Sequence, residues 1–290
     1  MVIKLSQLYL DAKRDLSRKE DPQTAGMIAR SLLCNITGKS KEQLIADFDT
    51  YATENVIGEM SAAVWRVLTG MPLAYVIGEW DFYGMTLKVN KSVLIPRDDT
   101  CAVTDLAIKK ALFLDKSPRI LDLCTGSGCI GLALAQRVKD AKVTLADISG
   151  DALAVAKYNV KMQKLSGRVS CVVSDALSEP NSFLGRFDMI VSNPPYITTG
   201  EMEELPKSVK DYEPHLALHG GKDGLDFYRA IAKNYQKALK PKGYLCFEFG
   251  MGQGDDVCRI LEENSYTILE RTRDYNDRER AVLAQSRKDD

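Results

Sequence analysis

The sequence predicts an α/β fold: a seven-stranded, mostly parallel sheet with helices on both faces, preceded by a small helical bundle. Three observations predict it. First, from Arg119 onward strand-length apolar runs alternate with helical patterns. The expected strands are 119–124, 142–147, 168–173, 187–192, 243–249, 265–272 and 279–285, with helices near 129–139, 150–164, 224–240 and 252–263. Second, the first of these strands runs into a glycine-rich turn that opens a helix. Third, the last two strands are joined only by the polar stretch Asp274-Tyr275-Asn276-Asp277. The seventh strand is therefore expected antiparallel to the sixth.

Residues 1–70 read as helices. Leu5, Leu8, Ala12 and Leu16 recur at helical spacing, Asp21-Pro22 is an N-cap and first-turn pair, and a third stretch around Met60 and Val64 ends at Gly70. This segment holds no catalytic constellation, so it is expected to be a docking or packing domain. Residues 71–98 change to aromatics and period two, which predicts a β-hairpin linker: Pro72 to Gly78 and Trp80 onward extended, with the turn near Tyr83-Gly84. A catalytic domain is expected over 99–290, opening with a helix from about Asp99 to Phe113.

Lys and Arg number 39 and Asp and Glu 40, so the near-neutral chain sets up no field that would draw nucleic-acid phosphates. The 7 cysteines are odd in number, lack zinc-type pairing and sit mostly in apolar segments, as reduced thiols of a cytoplasmic protein do. No bound metal is expected. The N-terminal stretch interrupts its apolar residues with Lys4, Asp11, Lys13 and Arg14, so neither a signal segment nor a membrane span is expected.

The chain's chemistry is concentrated at Asn193-Pro194-Pro195-Tyr196. Two prolines end the apolar run Phe187 to Val191, leaving an amide, stiffened main-chain carbonyls and an aromatic ring at the strand's C-terminal end, where open α/β sheets keep their ligands. Asn Oδ1 and a carbonyl can each accept one hydrogen of a planar substrate's NH2 group. Chance places this tetrapeptide in roughly one chain in a thousand of this length.

On the ligand side, Cys124-Thr125-Gly126-Ser127-Gly128 follows a strand, and Asp147 ends the next one about twenty positions on. Taken alone, this pattern suits a nicotinamide cofactor as well as an adenosyl one. Two features tilt the choice. Asp175-Ala176 ends the third strand, where the acid can accept from an adenine amino group and the apolar residue can pack on the base. A dehydrogenase would also want a second nucleotide-binding half and a proton donor, whereas the only histidines, His215 and His219, share one loop.

These residues resemble the protein-(glutamine-N5) methyltransferases that modify class-1 peptide chain release factors. The resemblance covers nearly the whole chain: Pro72-Leu73-Ala74-Tyr75, Phe82-Tyr83-Gly84, Leu94-Ile95-Pro96-Arg97, Asp122 to Gly128, Asn193 to Tyr196, Tyr212-Glu213-Pro214 and Gly220 to Leu225. One departure is Asp98-Asp99-Thr100, where the family has proline, glutamate and threonine. The resemblance implies a Rossmann-like sheet and S-adenosylmethionine as methyl donor, with the glutamine of the release factor's Gly-Gly-Gln loop as acceptor. By position it implies Cys124, Thr125, Gly126, Ser127, Gly128, Asp147, Asp175, Ala176 and Asn193 as cofactor-binding residues, and Asn193, Pro194, Pro195 and Tyr196 as catalytic ones. The expected assembly is a monomer with no nucleic-acid or membrane partner. An adenine-N6 nucleic-acid methyltransferase, which would need a basic groove, and a non-catalytic S-adenosylmethionine-binding adaptor are the alternatives.

Overall fold

The computed structural model describes residues 3–114 and 116–289. They divide into two compact units, Met1–Gly78 with Lys207–Tyr212, and Glu79–Pro206 with Glu213–Asp290.

The first unit is helical: α1 (Leu5–Leu16), α2 (Pro22–Thr37), α3 (Lys41–Ala46), α4 (Glu54–Leu68) and α5 (Leu73–Ile77). Capping sets their ends. Asp21 accepts from the Gln23 and Thr24 amides, Ser40 forms a capping box with Gln43, and Gly38 ends α2 with φ +65°. Leu5, Leu8, Leu16, Ile28, Leu32, Leu44, Met60 and Val64 make the core. One expectation fails here, because Leu73 to Ile77 is a helical turn and not the first arm of a hairpin. Pro72 caps it, Gly78 closes it at φ +84°, and Leu73, Val76 and Ile77 pack on the bundle. Five residues are too few for a repeat of two to be told from one of 3.6. The helix α3 also lies outside the predicted pattern.

In the second unit the hairpin is β1 (Glu79–Phe82) with β2 (Met85–Lys88), turning at Tyr83-Gly84. Both turn residues have positive φ, +53° and +78°, as the tight turns that match strand twist require. A 3-10 turn over Asp98–Thr100 leads into α6 (Cys101–Ala111). The alternation follows: β3 (Arg119–Leu123), α7 (Cys129–Arg137), β4 (Lys142–Asp147), α8 (Gly150–Met162), β5 (Val169–Val173) and β6 (Phe187–Ser192). The short helix α9 (Glu201–Glu204), then α10 (Lys207–Lys210), which belongs to the first unit, and in the second unit again α11 (Asp226–Asn234), β7 (Leu239–Glu248), α12 (Gly254–Glu263), β8 (Tyr266–Arg273) and β9 (Glu279–Ser286) complete the chain.

The sheet order is β5-β4-β3-β6-β7-β9-β8, parallel except for β9, which runs antiparallel to both β7 and β8. Successive β3 residues face opposite sides: Ile120 joins Val103, Leu132 and Val143 on one, Leu121 joins Tyr228, Leu261 and Phe247 on the other. The chain leaves β3 for β4 in one direction along the sheet and returns to place β6 on β3's other edge. A crevice therefore opens beyond the C-terminal ends of β3 and β6.

Candidate active site

At the end of β3, Cys124 takes φ +60° and the chain turns through Gly126 (φ +54°) and Gly128 (φ +85°) into α7. Each glycine has a separate cause. Gly126 supplies the turn, whereas a Cβ on Gly131 would lie 2.3 Å from Leu145 Cδ2 and 2.9 Å from Asp122 Oδ2, so α7 can approach the sheet only without one. Asp122, fully buried beneath the loop, accepts from Thr125 Oγ1 (2.6 Å) and the Gly131 amide (2.9 Å). Burial pushes its carboxyl up to about 7.

Asp147 ends β4 with one oxygen accepting from the Gly126 amide and the other from the Ser149 amide, each at 2.9 Å. Each oxygen keeps a lone pair, which is what a pair of ribose hydroxyls needs. Burial raises its carboxyl above the ordinary value, opposed by those amides. Asp175 accepts from the Leu177 amide (2.9 Å) and Ser178 Oγ (2.6 Å), and Ala176 is buried beside it.

Beyond β6, Ser192 donates to the Leu123 carbonyl at 2.6 Å and ties the two central strands together at their ends. Asn193 Nδ2 donates to Thr100 Oγ1 at 3.3 Å. The prolines are buried, and Tyr196 packs on the core beneath α11 and α12 while its carbonyl accepts from Gln253 Nε2 at 3.0 Å. The loop after η-turn His215–Ala217 presses against the same segment: the Ile197 amide donates to Leu218 O (2.9 Å), and the Gly220 amide to Ile197 O (2.8 Å). Cβ atoms on Gly220 and Gly224 would lie 2.6 Å from the Pro195 carbonyl oxygen and 2.3 Å from that of Tyr196.

An open cleft with about 1000 Å³ of empty space, solvent at its mouth included, brings the sequence-predicted residues together. Cys124, Thr125, Gly126, Ser127, Asp147, Asp175, Ala176, Asn193 and Pro195 line it; Gly128, Pro194 and Tyr196 do not. Gly128 instead lies against Leu145 and Leu132 inside the fold. Leu94, Pro96, Pro214, Leu216, Ala217 and Phe227 supply apolar walls. Glu213 holds two of those wall segments together, accepting from the Ile95 amide at 3.3 Å and pairing with Arg97.

The cleft suits an adenosyl group. Its walls are apolar, carboxylates stand at the ends of β4 and β5, and buried Ser127 Oγ has no partner within the chain. Burial also holds the Cys124 thiol protonated and pushes that of Cys129 up to about 12, so neither is a ready nucleophile. Among the described residues no group of three or more His, Cys, Asp or Glu could hold a metal.

Behind Asn193 lies a polar cluster that the sequence reading passed over. Glu248, at the end of β7, is 1% exposed and its Oε2 has no partner; burial pushes its carboxyl up to about 7, opposed by nearby Thr100, Arg280 and Asn193. Arg280 of β9 is 5% exposed, pairs with Asp99 (3.1 Å) and Asp274 (3.2 Å), and donates to the Phe249 carbonyl. Asp99, one of the two residues that depart from the family pattern, thus has a partner. The available signal was an acid closing the apolar run Leu245-Cys246-Phe247, at the same sheet edge as Asn193.

Two family models match the chain, a PrmC N-terminal domain over residues 7–78 and a methyltransferase small domain over residues 104–209. The chain is 38% identical to a release factor glutamine methyltransferase of Clostridium acetobutylicum over 87% of its length and 88% of the relative's. It is 36% identical to one of Haemophilus influenzae, over 93% and 94%. The hMettl16 catalytic domain, solved in complex with a MAT2A 3'UTR hairpin, superposes with a TM-score of 0.57 at 15% identity, covering 83% of this chain and 86% of that one. That last likeness concerns the fold alone.

Proposed function

The chain belongs to the release factor glutamine methyltransferase family, and from that premise we propose how its residues act. The enzyme transfers a methyl group from S-adenosylmethionine to the side-chain amide nitrogen of the glutamine in the Gly-Gly-Gln loop of class-1 release factors. One observation carries the assignment of the site: Asn193 and Pro195 share a single cleft with Asp147, Asp175 and the glycine turn.

In this reading Cys124 to Gly128, Asp147, Asp175, Ala176 and Asn193 hold the donor: Asp147 accepts from ribose hydroxyls, Asp175 from the adenine amino group, and Ala176 packs on the base. The donor supplies an electrophilic methyl carbon on a sulfonium. An amide nitrogen is a weak nucleophile because its lone pair is shared with the carbonyl, so the chain's task is to orient it. With Nδ2 engaged by Thr100, Asn193 offers Oδ1 to one substrate N–H. The second acceptor is the Pro194 carbonyl, an assignment that rests on the sequence pattern. Both acceptors stabilise the positive charge that grows on nitrogen, and so favour the transition state over the ground state. Tyr196 packs into the core behind the cleft and does not line it; burial keeps its phenol neutral, so it supports the segment and does not act as a base. The proton lost after alkylation leaves to water.

The near-neutral net charge of −1 supports a protein substrate over nucleic acid, and we propose a monomer. All seven cysteines are free, which supports a reducing cytoplasmic setting, and no described helix is long and apolar enough to cross a membrane. The test supplies labelled donor with purified release factor in one reaction and DNA in another. Label is expected in the release factor; label in DNA alone would overturn the reading.

A further inference from the structure

We propose that a cationic cleft on the helical unit, lined by α1 and α2, takes an acidic segment of the release factor, an inference that deepens the functional reading given above and rests on it.

Most Lys and Arg side chains of residues 3–78 are occupied within the unit. Lys4 pairs with Asp49, Arg14 with Asp11, Arg18 with Asp15 and Lys39 with Asp47, while Lys19 and Arg66 donate to the Leu68 and Ala62 carbonyls. Lys13, Arg30 and Lys41 have no such partner among the described residues, and all three line one cleft. Like charges gathered in one concavity repel, and an anion entering it relieves that repulsion.

The cleft holds about 1040 Å³ of empty space, solvent at its mouth included. A Cβ on Gly26 of α2 would stand 3.1 Å from Tyr9 Oη and 3.5 Å from Lys13 Cε, so the glycine lets both α1 side chains lie close across α2. Arg30 sits over the Tyr9 ring at 5.9 Å, and its buried Nε has no partner. The carboxylate in the lining, Asp21, is engaged at the start of α2, where Oδ1 accepts from the Gln23 and Thr24 amides at 2.9 and 3.1 Å. Three cations therefore face the cleft against one acid already used as a cap.

The occupant that fits is a protein segment bearing carboxylates, which Arg and Lys meet with charge-assisted hydrogen bonds. Exposed Met27 adds an apolar contact for such a segment. A nucleic-acid strand fits less well, because single-strand sites stack bases on open aromatic faces. Tyr9, the aromatic residue of this lining, already stacks on Phe48 at 5.6 Å and carries Arg30. None of the cleft's residues lines the donor site, so its contribution separates from the chemistry.

The test uses full-length enzyme and intact release factor at about 50 and about 200 mM salt. Lys13→Glu with Lys41→Glu should raise KM for release factor roughly tenfold at the lower salt, because attraction becomes repulsion. Donor affinity and methylation of a short Gly-Gly-Gln peptide should stay within about twofold. Added salt should raise KM in wild type and not in the reversed variant. The milder pair Lys13→Gln with Lys41→Gln should give an intermediate rise and decides the matter if circular dichroism shows the reversed variant misfolded. A hexaglutamate peptide should compete with release factor for the wild-type enzyme and not with the short peptide. Unchanged KM for release factor in the folded variants, or equal competition on both substrates, would overturn the proposal while leaving the methylation reading intact. Labelled single-stranded RNA that binds wild type and is released by the same substitutions, with KM for release factor unchanged, would assign the cleft to nucleic acid instead. A wild-type enzyme that binds donor but neither binds nor methylates release factor faults the functional reading itself.

Discussion

Asn193 donates Nδ2 to the buried Thr100 hydroxyl, and in the mechanism we propose its Oδ1 meets the substrate; the two duties separate in experiment. Asn193→Ala should lower kcat by roughly 10²–10³-fold, by analogy with loss of one oxyanion-hole donor, while leaving donor affinity nearly unchanged; equal turnover would sink the pocket assignment. Asp147→Ala should instead raise KM for the donor and spare kcat at saturation, because a carboxylate far from the transferred methyl binds ground and transition states alike. Asp122 gives a pH signature. Its folded pKa of about 7 lies above the ordinary 3.8, so its contribution to stability is fully present below about pH 4 and is lost as pH rises through about 7. Asp122→Asn, which cannot ionise, should therefore gain in melting temperature relative to wild type as pH goes from about 5 to 8; a pH-independent difference would contradict the assignment. Asn193, Asp147 and Asp175 were legible because each closes an apolar strand run. Thr100 was not, since its role depends on a partner 93 positions away.

Among the elements, the glycines of the loop after α10 explain why a proline-ended strand finishes as a defined surface. A Cβ on Gly224 would come within 2.3 Å of the Tyr196 carbonyl oxygen, and the residue's φ of +75° disfavours any side chain. Gly224→Ala should displace the Pro195-Tyr196 segment, cost about 1–3 kcal/mol of stability and lower turnover at least about tenfold, with donor affinity retained. Melting and single-turnover measurements on the same preparation check this; an unchanged rate would mean that the loop does not shape the site. The parallel strands were legible because buried strands read as unbroken apolar runs bounded by turns. The turn of helix at Leu73–Ile77 was not, because β-branched residues between Pro72 and Gly78 match an extended pattern equally well over so short a span. The helix expected to reach 240 likewise stops at Asn234, and β7 begins at Leu239, because a 3-10 turn over Tyr235–Ala238 intervenes.

For the whole molecule, the division of labour follows from where the chemistry lies: every residue that lines the cleft belongs to the second unit. We propose that the helical unit holds the release factor by surface remote from the glutamine, so that its binding energy is expressed at the reacting amide. Removing residues 1–78 should then leave donor binding largely intact. It should cut methylation of whole release factor far more than that of a short Gly-Gly-Gln peptide. An equal loss on both substrates, with a fall in melting temperature, would assign the unit to stability alone. The central claim, that one glutamine amide receives the methyl group, is met most directly by mass spectrometry of release factor after reaction, compared with a release factor carrying Gln→Ala in its Gly-Gly-Gln loop. The account predicts one added methyl group on that glutamine side chain and none on the variant; equal methylation of the variant would contradict it.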